Sequence, residues 1–484
     1  MEAWQEELQP RVFWNYFLGL ARIPRGSLNE AAAVRWVLEQ ARALGCEAEA
    51  DAAGNVLIRK PAAPGREGAP GVALQAHVDM VCEQNEGTGH DFLEDPIRVV
   101  RDGDLLRAAG TTLGADDGVG VAAALAMLAS REVRHGPLEV LVTVAEELGL
   151  VGAKRLAPGI LRARYLLNLD SGKAGFLTIG CSGGLDSVAA RQVGRVQARP
   201  GAAPYRIKVH GLRGGHSGGD IDKGRGNAIK ILARALGSLG PEFGLELAAL
   251  AGGDKRNAIP REAFATVFLD PAREAALRAA LATLQEELRA ELGAFDPGLA
   301  LALEPAAPDR REVLEPRDAR TVVAFLQAMP HGVIGHSPVL PGLVQTSTNL
   351  AAVATRPGEV EVILSHRSSV ATAKAAVADR ISALCQLAGF EHRRGEGYPG
   401  WQPDPDTVLA RRVRAVHADL FGRPMEIRAT HGGLECGIIG QGHPGLEMVS
   451  FGPDMWDNHT PDERLSISST QDYLKLLAAV LEAL

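Results

Sequence analysis

Apolar runs of strand length alternate with helical stretches in the first part of the chain. The strand-like runs are Gly71 to Gln75, Leu138 to Val144 and Tyr165 to Leu169, and the helical stretches are Glu30 to Leu44 and Val119 to Ser130. Strands that alternate with helices in this way are typical of an α/β domain with a mainly parallel sheet. We therefore predict such a domain here.

The pattern changes between residues 186 and 394. Two stretches share the order strand, turn, strand, helix, and they end in the predicted helices Arg273 to Leu292 and Ala371 to Leu387. This order favours an inserted α+β domain built from two related halves. The α/β pattern then returns up to a last amphipathic helix, Gln471 to Leu484. A chain of 484 residues exceeds one hydrophobic core, and we predict a discontinuous α/β domain, 1–185 with 395–484, around the inserted domain 186–394.

Composition and charge narrow the functional classes. The formal net charge is −8 and no long basic run is present, which argues against nucleic acid as a partner. The longest apolar run, Val119 to Ala129, is shorter than the roughly 20 residues that span a bilayer, and the acidic start lacks the features of a secretory signal. Five scattered cysteines without a CxxC pair fit a reducing compartment and exclude a thiolate zinc site. A soluble cytoplasmic protein is expected.

Acidic residues and histidines follow the predicted strands, where open α/β sheets bind their ligands. His77 and Asp79 are two apart on one strand and project from the same face, so Asp79 is a natural partner for the second ring nitrogen of a metal-bound His77. Asp116 and Asp117 lie in a glycine-bounded loop, where a divalent cation would relieve their repulsion. Capping of the next helix by one of them explains that loop equally well.

Three further clusters extend the pattern. The run LEVLVTVAEELG ends in Glu146 and Glu147, so that one glutamate can bind a metal while the other accepts a proton. Another run ends in Asp170, and His459 precedes the last helix. Each cluster alone has a plainer explanation, such as a solvated helix start. Together they form a sulfur-free set suited to zinc, cobalt or manganese, namely His77, Asp116, Glu147, Asp170 and His459.

The motifs around these residues resemble a known family. HVD, GADDG, AEELG, NLDSG and NHTPDE have the order and rough spacing of the five motifs of di-zinc metallopeptidases of the aminoacylase and glutamate carboxypeptidase type. GCSGG, GLRGGHSGGDI, RGNAI, ILSHRSS and HGGLECG resemble its cytosolic non-specific dipeptidase branch, and the likeness covers nearly the whole chain. The resemblance implies an α/β catalytic domain of zinc-peptidase type, with a mixed sheet and an inserted α+β lid domain.

The resemblance also implies a role for each ligand. Two divalent metal ions are expected per subunit, with zinc favoured over cobalt or manganese. Asp116 would bridge the two ions. His77 and Asp170 would complete one site, and Glu147 and His459 the other. Ions in such a pair share a water of lowered pKa.

Two carboxylates outside the ligand set complete the implied chemistry. Glu146 would be the general base, and Asp79 would support His77. The implied reaction is hydrolysis of dipeptides with broad specificity, including Xaa-His dipeptides such as β-Ala-His. A hydroxide that bridges the two metals would attack the scissile carbonyl.

Further residues are implied in substrate binding. His216, in a glycine-rich segment, would donate to the developing oxyanion, although a plain glycine-rich turn explains that segment too. Arg367 and the HGG turn would bind the substrate carboxylate, which arginine contacts bidentately. The full set is His216, Asn257, Arg367, His431, Gly432 and Gly433. The lid domain is also expected to form a homodimer, in which His216 serves either its own active site or the partner's.

Three alternatives use the same residues differently. GHSGG matches G-x-S-x-G, so a serine hydrolase with Ser217 as nucleophile is one, although no helix directly follows this serine. A non-catalytic metal-binding peptide receptor is another, and it has no use for Glu146. A tripeptidase or an N-acyl amino acid hydrolase of the same family would share every metal ligand. The inserted domain decides among these enzymes.

Overall fold

A computed structural model describes residues 3–308 and 310–484. They form two compact units. Unit 1 combines Met1–Gly180, Trp401–Ala429 and Leu434–Leu484, and unit 2 combines Cys181–Gly400 with Thr430–Gly433. The chain passes from one unit to the other at residues 180 and 400, whereas the sequence pattern placed these boundaries at 185 and 394. The four-residue segment of unit 2 near residue 430 has no counterpart in the sequence pattern.

A mixed eight-stranded sheet runs through unit 1. Four of its strands are parallel, and the strand on each side of this group pairs with it in antiparallel fashion. The three apolar runs of the sequence all become buried strands of the parallel group. In spatial order the strands are Glu47–Ala50, Val56–Lys60, Leu138–Thr143, Val72–His77, Tyr165–Asn168, Glu447–Ser450, Phe176–Cys181 and Glu426–Thr430.

Helices and a smaller sheet complete unit 1. The helix Ala115–Ala129 is buried almost throughout, as expected for a helix that is apolar on every side. Ser466 caps the last helix by accepting a hydrogen bond from Ser469 N, so this helix begins four residues before the predicted start. The smaller sheet contains Met455–Trp456, Arg464–Ser466, Leu105–Ala108 and Val99–Asp102. The helices are Ala3–Glu7, Arg11–Leu20, Ala31–Ala43, Ala115–Ala129, Val151–Lys154, Val408–Phe421, Cys436–Gly442 and Ile467–Ala483.

Unit 2 is built on a nine-stranded antiparallel sheet with four α-helices among its described residues. The spatial order is Ala300–Pro305, Ala203–His210, Ala263–Leu269, Glu246–Gly252, Val344–Arg356, Glu359–Ser368, Gly183–Gln192 and Glu391–Arg394, and Gly332–His336 also pairs with Val344–Arg356. Two short pairs are Arg195–Gln197 with Glu312–Leu314 and Gly215–His216 with Ala258–Ile259. The helices are Ala228–Phe243, Glu274–Leu292, Pro316–Ala328 and Ala371–Ala388, with a 3-10 turn at Pro271–Arg273.

The unit 2 sheet divides into two halves with the same strand and helix order. In each half a strand is followed by a helix, two adjacent strands, a second helix and an edge strand. The halves meet where Ala251 and Gly252 pair with Ala354 and Val353. The first half is inserted after strand Gly183–Gln192 of the second. Unit 2 thus has the α+β character expected for the insert, and its halves share one order of strands and helices.

Helix periodicity explains the packing of unit 2. In Glu274–Leu292 the buried residues are Leu277, Leu281, Leu284 and Leu288, a spacing of three and four that gives one apolar stripe. Burial of each leucine contributes about 1.5–3 kcal/mol. Asn227 caps the preceding helix by accepting from Ile229 N and Lys230 N. Among the described residues of either unit, no helix combines the length and apolar character needed to cross a membrane.

Candidate metal centre

Acidic and histidine side chains from separate segments of unit 1 converge beyond its parallel strands. His77 ends its strand, and Asp170 follows the neighbouring strand by two residues. Glu146 and Glu147 follow a third strand by three and four residues. Their ligand atoms fall into three groups, within each of which all atoms lie within 4.8 Å of one another. The groups are His77, Asp116 and Asp170; Asp116, Glu147 and His459; and His77, Glu146 and Glu147.

Asp116 is shared by the first two groups. Its Oδ1 lies 3.2 Å from Nε2 of His77, and its Oδ2 lies 3.3 Å from Nε2 of His459. Asn458 donates a hydrogen bond to the same Oδ2 at 2.9 Å. Each carboxylate oxygen therefore faces one imidazole, which is the arrangement needed for a carboxylate that contacts two cations.

The loop that carries Asp116 is held by a buried carboxylate and a buried guanidinium. Glu463 accepts four backbone N–H groups, from residues 113 to 116, at 2.7 to 3.2 Å. Arg25 donates to the backbone carbonyls of Val78 and Gly114. Gly114 has φ of +68°, and a Cβ there would collide with the Arg25 guanidinium. Only glycine fits at this point of the loop.

Asp117, the second aspartate of the loop, makes different contacts from Asp116. Asp117 is fully buried, and its Oδ1 accepts from Gly120 N at 3.0 Å, as a helix-capping side chain does. Its Oδ2 accepts from the backbone N–H of His77 at 3.3 Å. The loop thus contains both a candidate ligand and a cap, the two explanations that the sequence left open.

Asp79 connects His77 to the loop of the two glutamates. Its Oδ1 lies 3.4 Å from Nδ1 of His77, without hydrogen-bond geometry. The same oxygen accepts from the backbone N–H of Glu146 at 3.0 Å, and Oδ2 accepts from the backbone N–H of Glu147 at 3.2 Å and from the Ser27 hydroxyl at 2.7 Å. The neighbouring His77 outweighs the effect of burial and lowers the pKa of Asp79 to about 2. A charged Asp79 therefore orients several parts of the site.

Left-handed backbone conformations cluster in the loops that carry the candidate ligands. The non-glycine residues with positive φ in the described chain are Leu28, Ala145, Leu150, Asp457 and His459. Ala145 precedes Glu146, and Glu30 accepts from the backbone N–H groups of both Leu28 and Ala145. Strain of this kind costs about 1–3 kcal/mol per residue and is concentrated at functional sites.

The electrostatics of the ligands favour bound positive charge. Burial alone would lower the pKa of His77, but the Asp116 and Asp79 carboxylates raise it well above the usual value. Asp116 and Glu147 raise the pKa of His459 to about 10. The two imidazoles in turn hold the pKa of Asp116 well below its usual range, against the effect of burial. A cation that binds here competes with these protons.

Glu146 differs from the other acidic residues of the site. Burial, together with the charges of Glu435 and Glu147, raises its pKa to about 8, although His77 opposes the shift. Its carboxylate is within reach of only one ligand group, the one with His77 and Glu147. A carboxyl group with a raised pKa beside a cluster of ligands is suited to accepting and releasing a proton near neutral pH.

The donor atoms fit a pair of divalent cations. All ligands offer nitrogen or carboxylate oxygen, which suits zinc, cobalt and manganese. Glu147 Oε1 is buried and lacks a partner of hydrogen-bond geometry among the described residues, although it lies 2.8 Å from Nε2 of His459. His77 presents Nε2 to the cluster and Nδ1 to a carboxylate, as metal-bound histidines do.

The residues implied in substrate binding lie in unit 2. Arg367 is nearly buried, and its guanidinium donates to Ser217 Oγ at 3.2 Å and to Tyr398 Oη at 3.4 Å. Its third nitrogen lies 3.5 Å from Nε2 of His216. The His216 Nδ1 accepts from the backbone of Gly218 at 3.2 Å, so this imidazole is fixed on its other side.

The HGG turn adjoins this group. Ser347 Oγ lies 2.7 Å from Nε2 of His431, whose pKa falls to about 4 because of burial and the charge of Arg367. Gly433 lies against the Tyr398 ring, and a Cβ on Gly433 would lie 3.0 Å from the ring edge. The turn therefore combines a neutral histidine with the close approach of an aromatic ring.

Asn257, the remaining residue implied in substrate binding, is a neighbour of Asn349. The Asn257 side chain is exposed, and its carbonyl accepts from Ser217 N at 2.8 Å. Asn349 lies within a strand, and its side chain donates to the carbonyls of Arg256 at 3.2 Å and Ala258 at 2.7 Å. Asn349 thus braces the turn that presents Asn257.

Ser217 lacks the surroundings of a nucleophilic serine. It is buried, and its hydroxyl accepts a hydrogen bond from Arg367. No histidine bonds to it in the part of the chain that the structure describes, and the next helix begins at Ala228. The helix that directly follows the serine in a nucleophile elbow is absent from these residues, so the serine hydrolase alternative has no structural support.

Several residues of the site were missed by the sequence analysis. Glu463 lies in the NHTPDE motif and Glu435 in HGGLECG, so the sequence carries a signal for both. Arg25 and Tyr398 carry no such signal, because their roles depend on contacts with residues far away in the chain. Asn458 adjoins His459 and could have been proposed with it.

Comparison with known proteins gives a consistent result. The family model described as peptidase family M20/M25/M40 matches residues 73–483. The cytosol non-specific dipeptidase of Escherichia coli strain K12 is 40% identical over 476 residues, which cover 98% of each chain. A Bacillus subtilis protein, uncharacterized protein YqjE, is 27% identical over 96% of each chain.

Solved structures agree with the sequence comparison. The aminoacylhistidine dipeptidase of Vibrio alginolyticus superimposes with a TM-score of 0.91 at 39% identity, over 99% of this chain and 98% of that one. The aminopeptidase PepT of Bacillus cereus has the same fold, with a TM-score of 0.57 at 17% identity over 98% and 99% of the chains. The extent of these matches, joined to the geometry of the ligand cluster, shows that the chain belongs to peptidase family M20/M25/M40.

Proposed function

We propose that this protein is a metal-dependent dipeptidase of broad specificity that also cleaves Xaa-His dipeptides such as β-Ala-His. The observation that carries the proposal is the convergence of five candidate ligands, with Asp116 shared by two groups and Glu146 beside them. The names of the relatives support the substrate class, since one is a non-specific dipeptidase and another an aminoacylhistidine dipeptidase.

We further propose that two divalent cations, with zinc favoured, bind per chain. Asp116 would contact both ions, His77 and Asp170 one of them, and Glu147 and His459 the other. When bound, such a pair polarises the scissile carbonyl and lowers the pKa of a water. Asp79 would keep the Nδ1 side of His77 occupied, so that Nε2 stays directed at the cluster.

Glu146 is proposed to move the proton. It would take a proton from the attacking water and deliver it to the leaving amine, so the same carboxyl acts first as base and then as acid. Its raised pKa, about 8, suits the second task. Cations bound beside it would lower this pKa towards neutrality, which suits the first task as well.

Unit 2 is proposed to recognise the ends of the dipeptide. Arg367 is a permanent cation, nearly buried and already oriented by Ser217 and Tyr398, so it can bind a carboxylate with little loss of side-chain entropy. Burial and the charge of Arg367 lower the pKa of His216, which leaves a neutral imidazole at neutral pH. This imidazole would donate a hydrogen bond to the developing oxyanion.

A substrate panel tests the proposal against its nearest alternatives. The purified protein, loaded with zinc, cobalt or manganese, is assayed on dipeptides including β-Ala-His, on tripeptides and on N-acyl amino acids. Fast cleavage of dipeptides alone is expected, with loss of activity in EDTA and indifference to a serine-directed phosphonate. Preference for tripeptides or acylated amino acids would overturn the proposed specificity, and tight metal binding without any hydrolysis would indicate a receptor.

We also propose a cytoplasmic location and a homodimer formed through unit 2. The first is supported by the name of the Escherichia coli relative and by the scattered cysteines. The second depends only on the family resemblance, and light scattering after size-exclusion chromatography tests it. A mass of about 51 kDa, that of one chain, would contradict the dimer.

A further inference from the structure

A group of buried polar side chains lies near the ends of the parallel strands of unit 1, close to the candidate metal ligands. We call it the strand-end network. Its members are fully buried, come from four separate segments and have no part in the proposed chemistry. They are Gln75, Thr143, Asn168 and Glu435.

Short hydrogen bonds connect the four side chains. Oε2 of Glu435 accepts from Gln75 Nε2 and from Thr143 Oγ1, both at 2.6 Å. Asn168 Nδ2 donates to Gln75 Oε1 at 2.5 Å. Because each bond joins different segments, the network ties three neighbouring parallel strands to the segment that carries Glu435.

The network sits next to the candidate ligands along the chain. Gln75 precedes His77 by two residues, and Asn168 precedes Asp170 by two. Thr143 precedes Glu146 by three and is paired with His77 in the sheet register. A shift of one strand against its neighbours would therefore move ligands of different groups relative to one another.

A buried glutamate at position 435 is unfavourable for the stability of unit 1. Burial of a carboxyl group is unfavourable unless its oxygens are hydrogen-bonded. Here Oε2 has two donors, whereas Oε1 is buried without a hydrogen-bond partner among the described residues. A buried acid with one unsatisfied oxygen lowers the stability of unit 1, so its presence calls for a reason other than stability.

We propose that Glu435 is a positioning residue of the metal centre, which fixes the spacing of His77, Asp170 and the Glu146 loop by accepting hydrogen bonds from Gln75 and Thr143. This inference rests on the proposed metal centre and assigns Glu435 no contact with the substrate. It acts through its acceptor oxygen, because that oxygen joins the His77 strand to the Thr143 strand.

Metal affinity and the cobalt spectrum test the proposal. Apoprotein is titrated with Co²⁺, and both the affinity and the visible absorption bands are recorded for wild type, Glu435→Ala and Glu435→Gln. Loss of neighbours that orient metal ligands weakens affinity about 10- to 100-fold, so we expect a loss in this range and altered bands for Glu435→Ala. Glu435→Gln keeps an acceptor oxygen in the same place and should restore affinity to within about threefold of wild type.

Two further variants separate positioning from general destabilisation. Leu281→Ala removes a buried side chain from a unit 2 helix and should lower the melting temperature with unchanged Co²⁺ affinity. Thr143→Val removes one donor at constant shape and should weaken affinity in the same direction as Glu435→Ala, to a smaller extent. It decides the matter if Glu435→Ala does not fold.

Two results would overturn the inference. One is a Glu435→Ala variant with the Co²⁺ affinity and spectrum of wild type. If Glu435→Ala does not fold, the same result in Thr143→Val would overturn the inference. The other is an equal loss in Glu435→Gln and Glu435→Ala, which would assign the effect to charge. A wild-type protein that binds Co²⁺ but cleaves no dipeptide refutes the proposed function alone, because affinity is measured without substrate.

Discussion

At the scale of single residues, the two adjacent glutamates have different surroundings although they are consecutive in the chain. Glu147 lies 2.8 Å from His459 in the group that contains Asp116, whereas Glu146 belongs only to the group with His77. Asp79 accepts the backbone N–H groups of both glutamates. Asp79 thus fixes the backbone of both glutamates, while their side chains differ in surroundings and in proposed role.

Glu146→Gln should abolish turnover and leave metal binding intact. The amide cannot accept a proton from water, so kcat is expected to fall by about 10²- to 10⁴-fold, while both ligand groups that contain Asp116 stay complete. Steady-state kinetics and metal analysis by mass spectrometry measure the two effects. Glu147→Gln serves as the matched control and should lose metal. Unchanged kcat in Glu146→Gln would refute its role as base.

Metal binding should release protons at pH 7. The raised pKa values of His77 and His459, about 10 for the latter, mean that both imidazoles are protonated at neutral pH before a cation binds. A cation must displace these protons, so metal affinity should rise as the pH rises through the neutral range. Calorimetry of zinc binding in two buffers of different ionisation enthalpy gives the proton count. A count of zero would contradict the expectation.

At the scale of secondary structure, the site depends on loops that are shaped by distant carboxylates. Glu463 accepts four N–H groups of the loop before helix Ala115–Ala129. These N–H groups lie where the loop meets the helix, and such groups otherwise need a cap or water. The segment that carries His459 therefore also holds the loop that carries Asp116.

Glu463→Gln should loosen that loop. A glutamine has one acceptor oxygen where the carboxylate has two, so at least one pair of buried N–H groups loses its acceptor, at a cost of about 1–3 kcal/mol. Thermal unfolding should shift down, and Co²⁺ affinity should fall with it. The exposed neighbour Asp462 provides the control, since Asp462→Asn should change neither. Equal changes in melting temperature and Co²⁺ affinity in the two variants would argue against a role of Glu463 in holding the loop.

Most elements were predictable from the sequence because their patterns are local. The buried strands and the helices follow runs of apolar residues with clear periods, and the predicted and observed bounds differ by a few residues. Convergence of the ligands was predicted from strand ends and from family motifs. The contacts of Arg25 and Tyr398 were not, because a hydrogen bond between distant segments leaves no periodic trace in the sequence.

At the scale of the whole molecule, the two units should respond differently to metal. All candidate ligands belong to unit 1, and a cation present at 100 times its Kd stabilises the state that binds it by about 2.7 kcal/mol. Hydrogen exchange with and without zinc should show slower exchange in the loops around Asp116 and His459. The sheet core of unit 2 provides the control and should be unchanged. Equal slowing in both units would contradict the assignment.

The division into units was only partly accessible from the sequence. A change of pattern near residue 186 and its return near 395 indicated an insertion, since strand and helix spacing differ on the two sides. Nothing in the pattern indicated that residues 430–433 belong to unit 2. Their assignment depends on contacts such as the bond from Ser182 to the His431 carbonyl, which joins residues far apart in the chain.

The discontinuous sheet of unit 1 has a consequence for biosynthesis. Strand Glu447–Ser450 inserts between Tyr165–Asn168 and Phe176–Cys181, so the sheet stays split until the ribosome has made this strand, more than 260 residues after Phe176–Cys181. At typical rates of translation this leaves an unpaired apolar strand edge on the nascent chain for roughly 15 to 60 s. Such an edge invites aggregation or capture by a chaperone, and His459 emerges later still. A metal centre that uses His459 can therefore be completed only after the strand that closes the sheet has been made.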